Sequence, residues 1–253
     1  MSLLLWRTHY AVESRGGNRL GIHRMQESTA EAMQSEEYYL KRLYNARFSP
    51  DERSGKDKIW KLLCEEYFVR WVKPTDTVMD LAAGYCEFIN NIRCGKKLAL
   101  DINPDTAQFK HPDVELIIND CTTMPDVPSN SIDVIFTSSF FEHLPSKEVL
   151  LKTLIQCYRV LRPGGRLMIL MPNIRFCYDV YWDFFDHLLP VSDRALDEGM
   201  RAIGFKMDVL YPQFVPYTTK SRLPRALFLI RWYLRLPILW RIFGKQMFVV
   251  ASK

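Results

Sequence analysis

The chain has 253 residues, of which 48% are hydrophobic and 25% are charged, the composition of an ordinary globular protein. Its formal net charge of +5, without a long run of Lys or Arg, gives no argument for a nucleic-acid partner. The six cysteines are scattered without paired spacing, which speaks against a disulfide framework or a metal site and indicates thiols in a reducing compartment. An apolar run at residues 3–6 is too short for a secretory signal, so we expect a cytoplasmic protein.

The N-terminal residues 1–55 are polar and mixed, and we expect them to form a helical or irregular cap. Within them, residues 29–44 predict a helix capped by Thr29. Residues 56–72 repeat apolar side chains every three or four positions, which predicts an amphipathic helix closed by Pro74. We expect one domain over the remaining chain, residues 56–253.

Short apolar runs alternate with helical patterns after residue 76. The runs are nearly uninterrupted, as in strands covered on both faces, and lie at 77–81, 97–102, 114–118, 132–138 and 165–171. Helical patterns follow at 146–161 and 192–202, then a sixth strand at 205–211. Alternation of this kind predicts an α/β fold with a mostly parallel sheet and helices on both faces. A final strand at 246–252, after an insertion over 212–245, would pair antiparallel with the sixth.

The stretch TVMDLAAGYCEF, residues 77–88, has the pattern of a nucleoside pocket. A short apolar strand carries Asp80, and the chain then turns through small residues that include Ala82 and Gly84. A second apolar run ends in Asp101, about 20 residues after Asp80. Such a turn lets backbone approach a ligand at the carboxyl ends of parallel strands, and the second acid can accept hydrogen bonds from ribose hydroxyls.

From about residue 56 onward, the chain resembles a class I S-adenosylmethionine-dependent methyltransferase, of the stand-alone bacterial type that acts on sugars and other small molecules. The resemblance is carried, in order, by VMDLAAGYCEF, LALDINPD, NDCTTMPDVPSNSIDVIFTSSFFEHLP, VLRPGGRLMILMPN and QMFVVAS. It implies a Rossmann-like seven-stranded sheet, mostly parallel with an antiparallel last strand, and S-adenosylmethionine as cofactor. The sequence departs from the family in the first loop, where Ala82 and Cys86 replace two of three glycines and Gly84 is kept.

The resemblance also implies which residues contact the cofactor. Asp80 would order the first turn or the methionine end, and Asp101 would bind the ribose. The other implied contacts are Ala82 and Gly84 in the loop, Ile102, Asp120 and Cys121 around the adenine, and Ser138 and Phe140 on the methionine side. A nicotinamide pocket would have Gly-x-Gly-x-x-Gly directly after the strand, which this sequence lacks, so a dehydrogenase is the weaker interpretation.

Two histidines are candidate catalytic bases, because a hydroxyl acceptor has to lose its proton when it takes a methyl group. His143 follows the fourth strand in FFEHLP. His187 lies four residues after Asp183, so a helix through this segment would let Asp183 orient His187. We expect no metal site.

The segment 173–190 combines aromatic rings, acids and His187, which suits a polyhydroxylated acceptor such as a sugar or glycolipid, and would equally suit a packed lid. After the fourth strand the chain reads TSSF instead of Asn-Pro-Pro-aromatic, which disfavours a nucleic-acid base as acceptor. Another small metabolite, methylated on oxygen or nitrogen, is an alternative. The altered glycine loop also leaves open a catalytically silent cofactor-binding partner protein.

The C-terminal part is basic and apolar, with no acidic residue after Asp208. Residues 222–243 form an aromatic helical pattern that is interrupted by arginines and Pro237, which makes it a poor bilayer span. A basic helix with aromatics is typical of a peripheral membrane contact, and it would equally suit a lid or a homodimer surface.

Overall fold

The computed structural model describes residues 50–217 and 227–253. The helices in these residues are α1 (Pro50–Glu66), α2 (Glu87–Asn91), α3 (Lys147–Val160), α4 (Ile174–Cys177), α5 (Asp193–Ile203), α6 (Leu227–Arg235) and α7 (Pro237–Phe243). The strands are β1 (Thr77–Leu81), β2 (Lys96–Asp101), β3 (Val114–Ile118), β4 (Ile132–Ser138), β5 (Leu161–Pro172), β6 (Lys206–Val215) and β7 (Gln246–Ser252). The expected helix over 29–44 lies outside the described residues.

All seven strands form one sheet in the order β3-β2-β1-β4-β5-β7-β6. The first five are parallel, with Asp80 of β1 opposite Ala99 of β2. Strand β7 is antiparallel to both of its neighbours, with Phe248 opposite Leu170 of β5 and Tyr211 of β6. The predicted α/β class, with a mostly parallel seven-stranded sheet and an antiparallel last strand, is confirmed.

Helices cover both faces of the sheet and divide the core into two clusters. On one face, α3 and α5 pack against apolar side chains of β1, β2 and β5, such as Leu81 and Leu100. On the other face, α1, α2, α6 and α7 enclose an aromatic cluster. Its fully buried rings include Tyr67, Phe68, Phe88, Phe136, Phe214 and Phe248. Burial on both faces explains why the central strands are continuous apolar runs.

Helix boundaries follow local chemistry. At the start of α5 the Ser192 hydroxyl accepts a hydrogen bond from the Ala195 amide, and Gly204 ends the helix at φ 116°. Helix α1 begins at Pro50, earlier than the expected residue 56, and ends at Glu66. A short 3₁₀ turn follows at Phe68–Trp71 and carries Phe68 into the core.

The expected long helix near the C-terminus is two helices that meet at Leu236 and Pro237. Because proline has no amide hydrogen, it cannot continue α6 and instead stands in the first turn of α7. Helix α6 packs on α1, where Arg231 and Arg235 lie 3.2 Å and 3.4 Å from the Glu66 carboxylate. Among the described residues, no helix is both long and apolar enough to cross a membrane.

Candidate functional site

The carboxyl ends of the parallel strands gather the sequence-predicted cofactor residues at one edge of the sheet. After β1 the chain forms β2 and β3 on one side of β1, and it then crosses over to form β4 on the other side. The loops after β1 and β4 therefore diverge and leave a crevice, which is the usual ligand site of such sheets.

The loop after β1 is built from three residues in the left-handed region. Ala82, Gly84 and Cys86 have φ angles of 57°, 51° and 59°. For Ala82 and Cys86 this conformation costs about 1–2 kcal/mol each, since only glycine adopts it freely. At Gly84 an added Cβ would meet only the Ala82 carbonyl oxygen, at 3.9 Å, so the backbone here faces open space that a ligand can enter.

Asp101 ties this loop to the end of β2. Its side chain is 1% exposed, and its Oδ2 accepts a hydrogen bond from the Gly84 amide at 2.8 Å. Its Oδ1 accepts one from the Asn103 amide at 2.9 Å. A carboxylate offers about four acceptor positions. Two of them can therefore accept ribose hydroxyls while the backbone bonds hold the carboxylate in place, so the residues fit the implied cofactor.

Asp80 lies beneath the loop and is 4% exposed. Its Oδ2 accepts a weak hydrogen bond from the Ile89 amide of α2, at 3.4 Å. Burial raises the pKa of this carboxyl well above its ordinary value, and the charges of Glu87 and Asp101 raise it further. Through this bond the side chain ties the end of β1 to α2, the helix that follows the loop.

The residues expected around an adenine follow β2 and β3. Asp120 closes a turn after β3, because its Oδ1 accepts hydrogen bonds from the amide and hydroxyl of Thr122 at 2.7 Å and 2.8 Å. The side chain of Cys121 is buried, with its Sγ 3.5 Å from the Thr153 hydroxyl. Ile102 is half-buried and packs on the same core cluster.

The residues expected on the methionine side follow β4. Ser138 ends the strand opposite Leu170, and Ser139 then takes a φ of 47° while its amide bonds the Leu170 carbonyl oxygen. This turn directs Phe140 into the core, where it is 8% exposed and 5.5 Å from the Phe141 ring. Phe140 thus supports the crevice wall through packing.

A second group of polar side chains lies behind the same loop and joins it to the segment after β5. The ring centroids of His143 and His187 are 5.0 Å apart. The Nδ1 of His143 lies 2.9 Å from the Asp186 carbonyl oxygen and 3.6 Å from its carboxylate. The Nδ1 of His187 lies 2.9 Å from the Tyr217 hydroxyl. The fold therefore brings both predicted histidines together, in a buried position.

Glu142 completes this group, and its side chain is 1% exposed. Within the described part of the chain, neither of its carboxylate oxygens has a hydrogen-bond partner. Burial raises its pKa to about 8, its own amide offsets part of that effect, and Asp186 adds to it. Its main-chain oxygen accepts hydrogen bonds from the amides of Leu188 and Leu189, which fixes the two segments against each other.

The predicted orientation of His187 by Asp183 is wrong. The segment is not helical there: a 3₁₀ turn covers Tyr181–Asp183, and Phe184 is extended at φ −105° and ψ 115°. Asp183 is therefore exposed, whereas His187 is buried beside Tyr217. The local sequence pattern could not identify Tyr217, because it follows β6, 30 residues further along the chain.

The segment after β5 presents aromatic rings to solvent from a fixed base. Tyr178, Trp182 and Phe185 are 70%, 61% and 86% exposed. The base is held by Asn173, whose buried amide nitrogen donates to Asp193 of α5 and to the Pro212 carbonyl oxygen. We call residues 174–190 the lip.

Comparison with known proteins agrees with this geometry. Residues 79–169 match the family model described as a methyltransferase domain. A search of curated proteins found no match. Among solved structures, a SAM-dependent methyltransferase from Archaeoglobus fulgidus is 20% identical, with a TM-score of 0.60 over 85% of this chain and 100% of that one.

Two further structures share the fold at lower identity. One is a chain in a complex between the Haloferax volcanii Trm112 methyltransferase activator and its candidate methyltransferase, which is 17% identical. Its TM-score is 0.59, over 79% of this chain and 92% of that one. The other is a geranyl diphosphate methyltransferase in complex with SAM, which is 15% identical with a TM-score of 0.55 over 78% and 84%.

The matched segment runs from β1 into β5 and contains the left-handed loop, Asp101 and the Glu142–His143 turn. The fold, the crevice at its switch point and the family match lead to one conclusion. Residues 79–169 match a methyltransferase domain, and the chain has the fold of S-adenosylmethionine-dependent methyltransferases.

Proposed function

We propose that this enzyme methylates a hydroxyl group of a small polyhydroxylated acceptor, such as a sugar or a glycolipid headgroup. The observation that carries the proposal is the position of the buried histidine pair directly behind the exposed aromatic lip. Rings such as Trp182 and Phe185 can stack on the apolar faces of sugar rings, and polar groups beside them can bind hydroxyls.

Bound S-adenosylmethionine supplies a methyl group already activated by a positive sulfur, so the protein has to position the acceptor and handle its proton. On the donor side, Asp101 and the Gly84 backbone hold the nucleoside, with Asp80 ordering the loop beneath. On the acceptor side, His143 and His187 promote loss of the hydroxyl proton. Alignment and water exclusion then account for most of the rate.

The experiment is a homocysteine-release assay across pools of sugars, glycolipids and other small metabolites, after calorimetric titration of S-adenosylmethionine. We expect turnover with a hydroxyl acceptor. His187→Ala should lower kcat by about 100-fold or more while donor affinity is unchanged, which is the usual contribution of a group that handles a proton. The matched control is Asp183→Asn on the same lip, which should retain activity within about twofold.

The outcomes separate the alternatives. Turnover on a nitrogen acceptor alone would replace this proposal with an N-methyltransferase. Tight donor binding without turnover on any pool would favour a catalytically silent partner protein. If Asp183→Asn and His187→Ala lower kcat equally, the histidine pair has no specific role in removing the proton.

We also propose that the enzyme works in the cytoplasm at a membrane surface, where a lipid-linked acceptor would be found. Helices α6 and α7 expose a set of large apolar side chains: Phe228, Trp232, Ile238 and Ile242 are each more than 60% exposed. Phe228 and Trp232 of α6 are four residues apart and so share one helix face, as do Ile238 and Ile242 of α7. The absence of acids in this part of the sequence suits an anionic lipid surface.

A further inference from the structure

Glu142, His143 and His187 form a compact set of candidate metal ligands. One potential ligand atom from each lies within 4.8 Å of the others. Ligands about 2.1 Å from a tetrahedral metal are about 3.4 Å apart, so a contraction of about 1.4 Å in the longest separation would close the set. The proposal requires the three side chains to move together by that amount when the metal binds.

The carboxylate of Glu142 gives independent support for a missing cation. It is 1% exposed, yet neither oxygen has a hydrogen-bond partner in another described residue. Burying such a group without a partner is costly, and more so when it is charged. Buried polar groups are satisfied in nearly all folded proteins, so an unsatisfied carboxylate beside two imidazoles calls for a ligand.

Both imidazole rings are positioned by residues other than the three candidate ligands. The Nδ1 of His143 lies against the Asp186 carbonyl oxygen at 2.9 Å, and the Nδ1 of His187 lies against the Tyr217 hydroxyl at 2.9 Å. Histidines that bind metals usually have one ring nitrogen fixed in this way by a carbonyl, carboxylate or similar group. These two contacts fix the orientation of the rings beside Glu142.

We propose that Glu142, His143 and His187 bind a divalent transition-metal ion, with Zn²⁺ as its representative. Two imidazoles and one carboxylate suit Zn²⁺ or its neighbours and do not suit Mg²⁺ or Ca²⁺, which prefer oxygen ligands. Three protein ligands leave a further coordination position for an oxygen atom from outside the protein. Local sequence patterns do not reveal this site, because its ligands come from two segments that only the fold brings together.

The catalytic consequence rests on the proposed function. An acceptor hydroxyl bound at the open position would lose its proton to water more readily, since a bound cation lowers the pKa of a coordinated oxygen. The oxygen keeps the electron pair with which it accepts the methyl group. The metal site would then explain how the histidine pair promotes proton loss.

The test measures metal binding without donor or acceptor. Full-length protein is stripped with a chelator and titrated with Zn²⁺ by calorimetry, and with Co²⁺ while its visible absorption is recorded. We expect one equivalent of Zn²⁺ per chain and a Co²⁺ spectrum typical of four- or five-coordinate nitrogen and oxygen ligands. Glu142→Gln, which keeps the side-chain shape, and His187→Ala should each weaken Zn²⁺ binding about 100-fold. Asp183→Asn is the matched control and should bind as the parent does.

Thermal unfolding gives a second measurement that does not depend on activity. Zn²⁺ should raise the Tm of the parent and of Asp183→Asn, because a ligand that binds only the folded state stabilises it, and it should not raise that of Glu142→Gln. Binding of Zn²⁺ with equal affinity by the parent and Glu142→Gln, or no binding by the parent, would overturn the proposal. If methyl transfer is then unaffected by the chelator, the proposed function stands without the metal site. If the protein binds the metal but transfers no methyl group to any hydroxyl acceptor, the proposed function is overturned and the metal site stands.

Discussion

At the scale of single residues, Asp101 ties the loop after β1 to the end of β2, because its carboxylate accepts hydrogen bonds from the Gly84 and Asn103 amides, and our proposal assigns it the ribose. We expect Asp101→Asn to weaken S-adenosylmethionine binding by about 2 kcal/mol, or about 30-fold, the size of a lost charged hydrogen bond. Calorimetry measures the affinity. Asp113→Asn, which removes an exposed carboxylate paired with Lys97, is the control and should bind the donor normally. Unchanged affinity in Asp101→Asn would contradict the assigned pocket.

The buried carboxyl of Asp80 is expected to help bind the donor and, at neutral pH, to lower the stability of the fold. Its pKa is raised in the folded state, so the folded protein binds more protons than the unfolded chain once pH rises above 3.8, the ordinary value. The stability that the Asp80 carboxyl contributes to the folded protein therefore falls as pH rises from its ordinary pKa towards its raised pKa in the folded protein. We expect Asp80→Asn to be more stable at pH 7, by about 1 kcal/mol, and to lose this advantage below pH 4.

Chemical denaturation at the two pH values checks this prediction, and donor titration of the same variant tests the role in the pocket. We expect the variant to bind S-adenosylmethionine more weakly, because an amide orders the loop less firmly than a carboxylate. A variant that is less stable than the parent at pH 7 would show that the Ile89 hydrogen bond outweighs the cost of burial.

At the scale of elements, the junction between α7 and β7 depends on close backbone contact at Gly244. A Cβ at this position would lie 2.5 Å from the Trp240 carbonyl oxygen and 2.8 Å from the Phe214 amide nitrogen. Both neighbours are backbone and cannot rotate away. We expect Gly244→Ala to destabilise the protein by about 3 kcal/mol, measured by denaturant unfolding.

The matched control is Gly199, which lies inside α5 with nothing within 4 Å of an added Cβ. Because alanine is the better helix former, Gly199→Ala should stabilise the protein by about 1 kcal/mol. Similar effects from the two substitutions would mean that the tight contact at Gly244 relaxes.

Helices and strands whose limits are marked by their own residues could be predicted from the sequence. Contacts between residues far apart in the chain could not. Strand β4 was recognisable from its nearly uninterrupted apolar run, and α5 from its Ser192 cap and the glycine that ends it. The start of α1 at Pro50 was not, because its first turn is polar and has no apolar repeat. The pairing of His187 with Tyr217 also escaped prediction, since the two residues come from segments separated by α5 and β6.

The residues proposed for the donor pocket have local sequence signals, whereas those proposed for the acceptor side do not. A left-handed turn and a strand-end acid are local features, so the pattern around Ala82, Gly84 and Asp101 carries them in the sequence. The acceptor side depends on how the lip folds over the β4 loop. A helical register assumed for residues 183–187 placed Asp183 beside His187, whereas the extended Phe184 turns the two apart.

At the scale of the whole molecule, the exposed apolar faces of α6 and α7 can be tested for membrane contact. We expect the protein to sediment with vesicles that contain phosphatidylserine, and less so at high salt. Trp232→Asp combined with Ile242→Asp should reduce the bound fraction at least tenfold. Ile155→Asp, which changes an exposed apolar residue of α3 on another surface, is the matched control and should bind normally.

The arginines of α6 are poor probes of this contact. Because Arg231 and Arg235 pair with Glu66, reversing their charge would disturb the packing of α6 on α1 as well as any lipid contact. Concentration-dependent dimerisation that the double variant abolishes, without vesicle binding by the parent, would instead assign the surface to a homodimer.

The sheet order has a consequence for how the protein is made. Among the strands of the described residues, β6 is hydrogen-bonded to β7 alone, which lies between it and β5. During synthesis β6 emerges first, and helices α6 and α7 follow before its partner arrives. A ribosome-bound chain that lacks β7 therefore holds β6 and the open side of β5 as two unsatisfied edges. That interval is when the nascent polypeptide is most exposed to pairing with a neighbouring copy, and when a chaperone would be of most use to it.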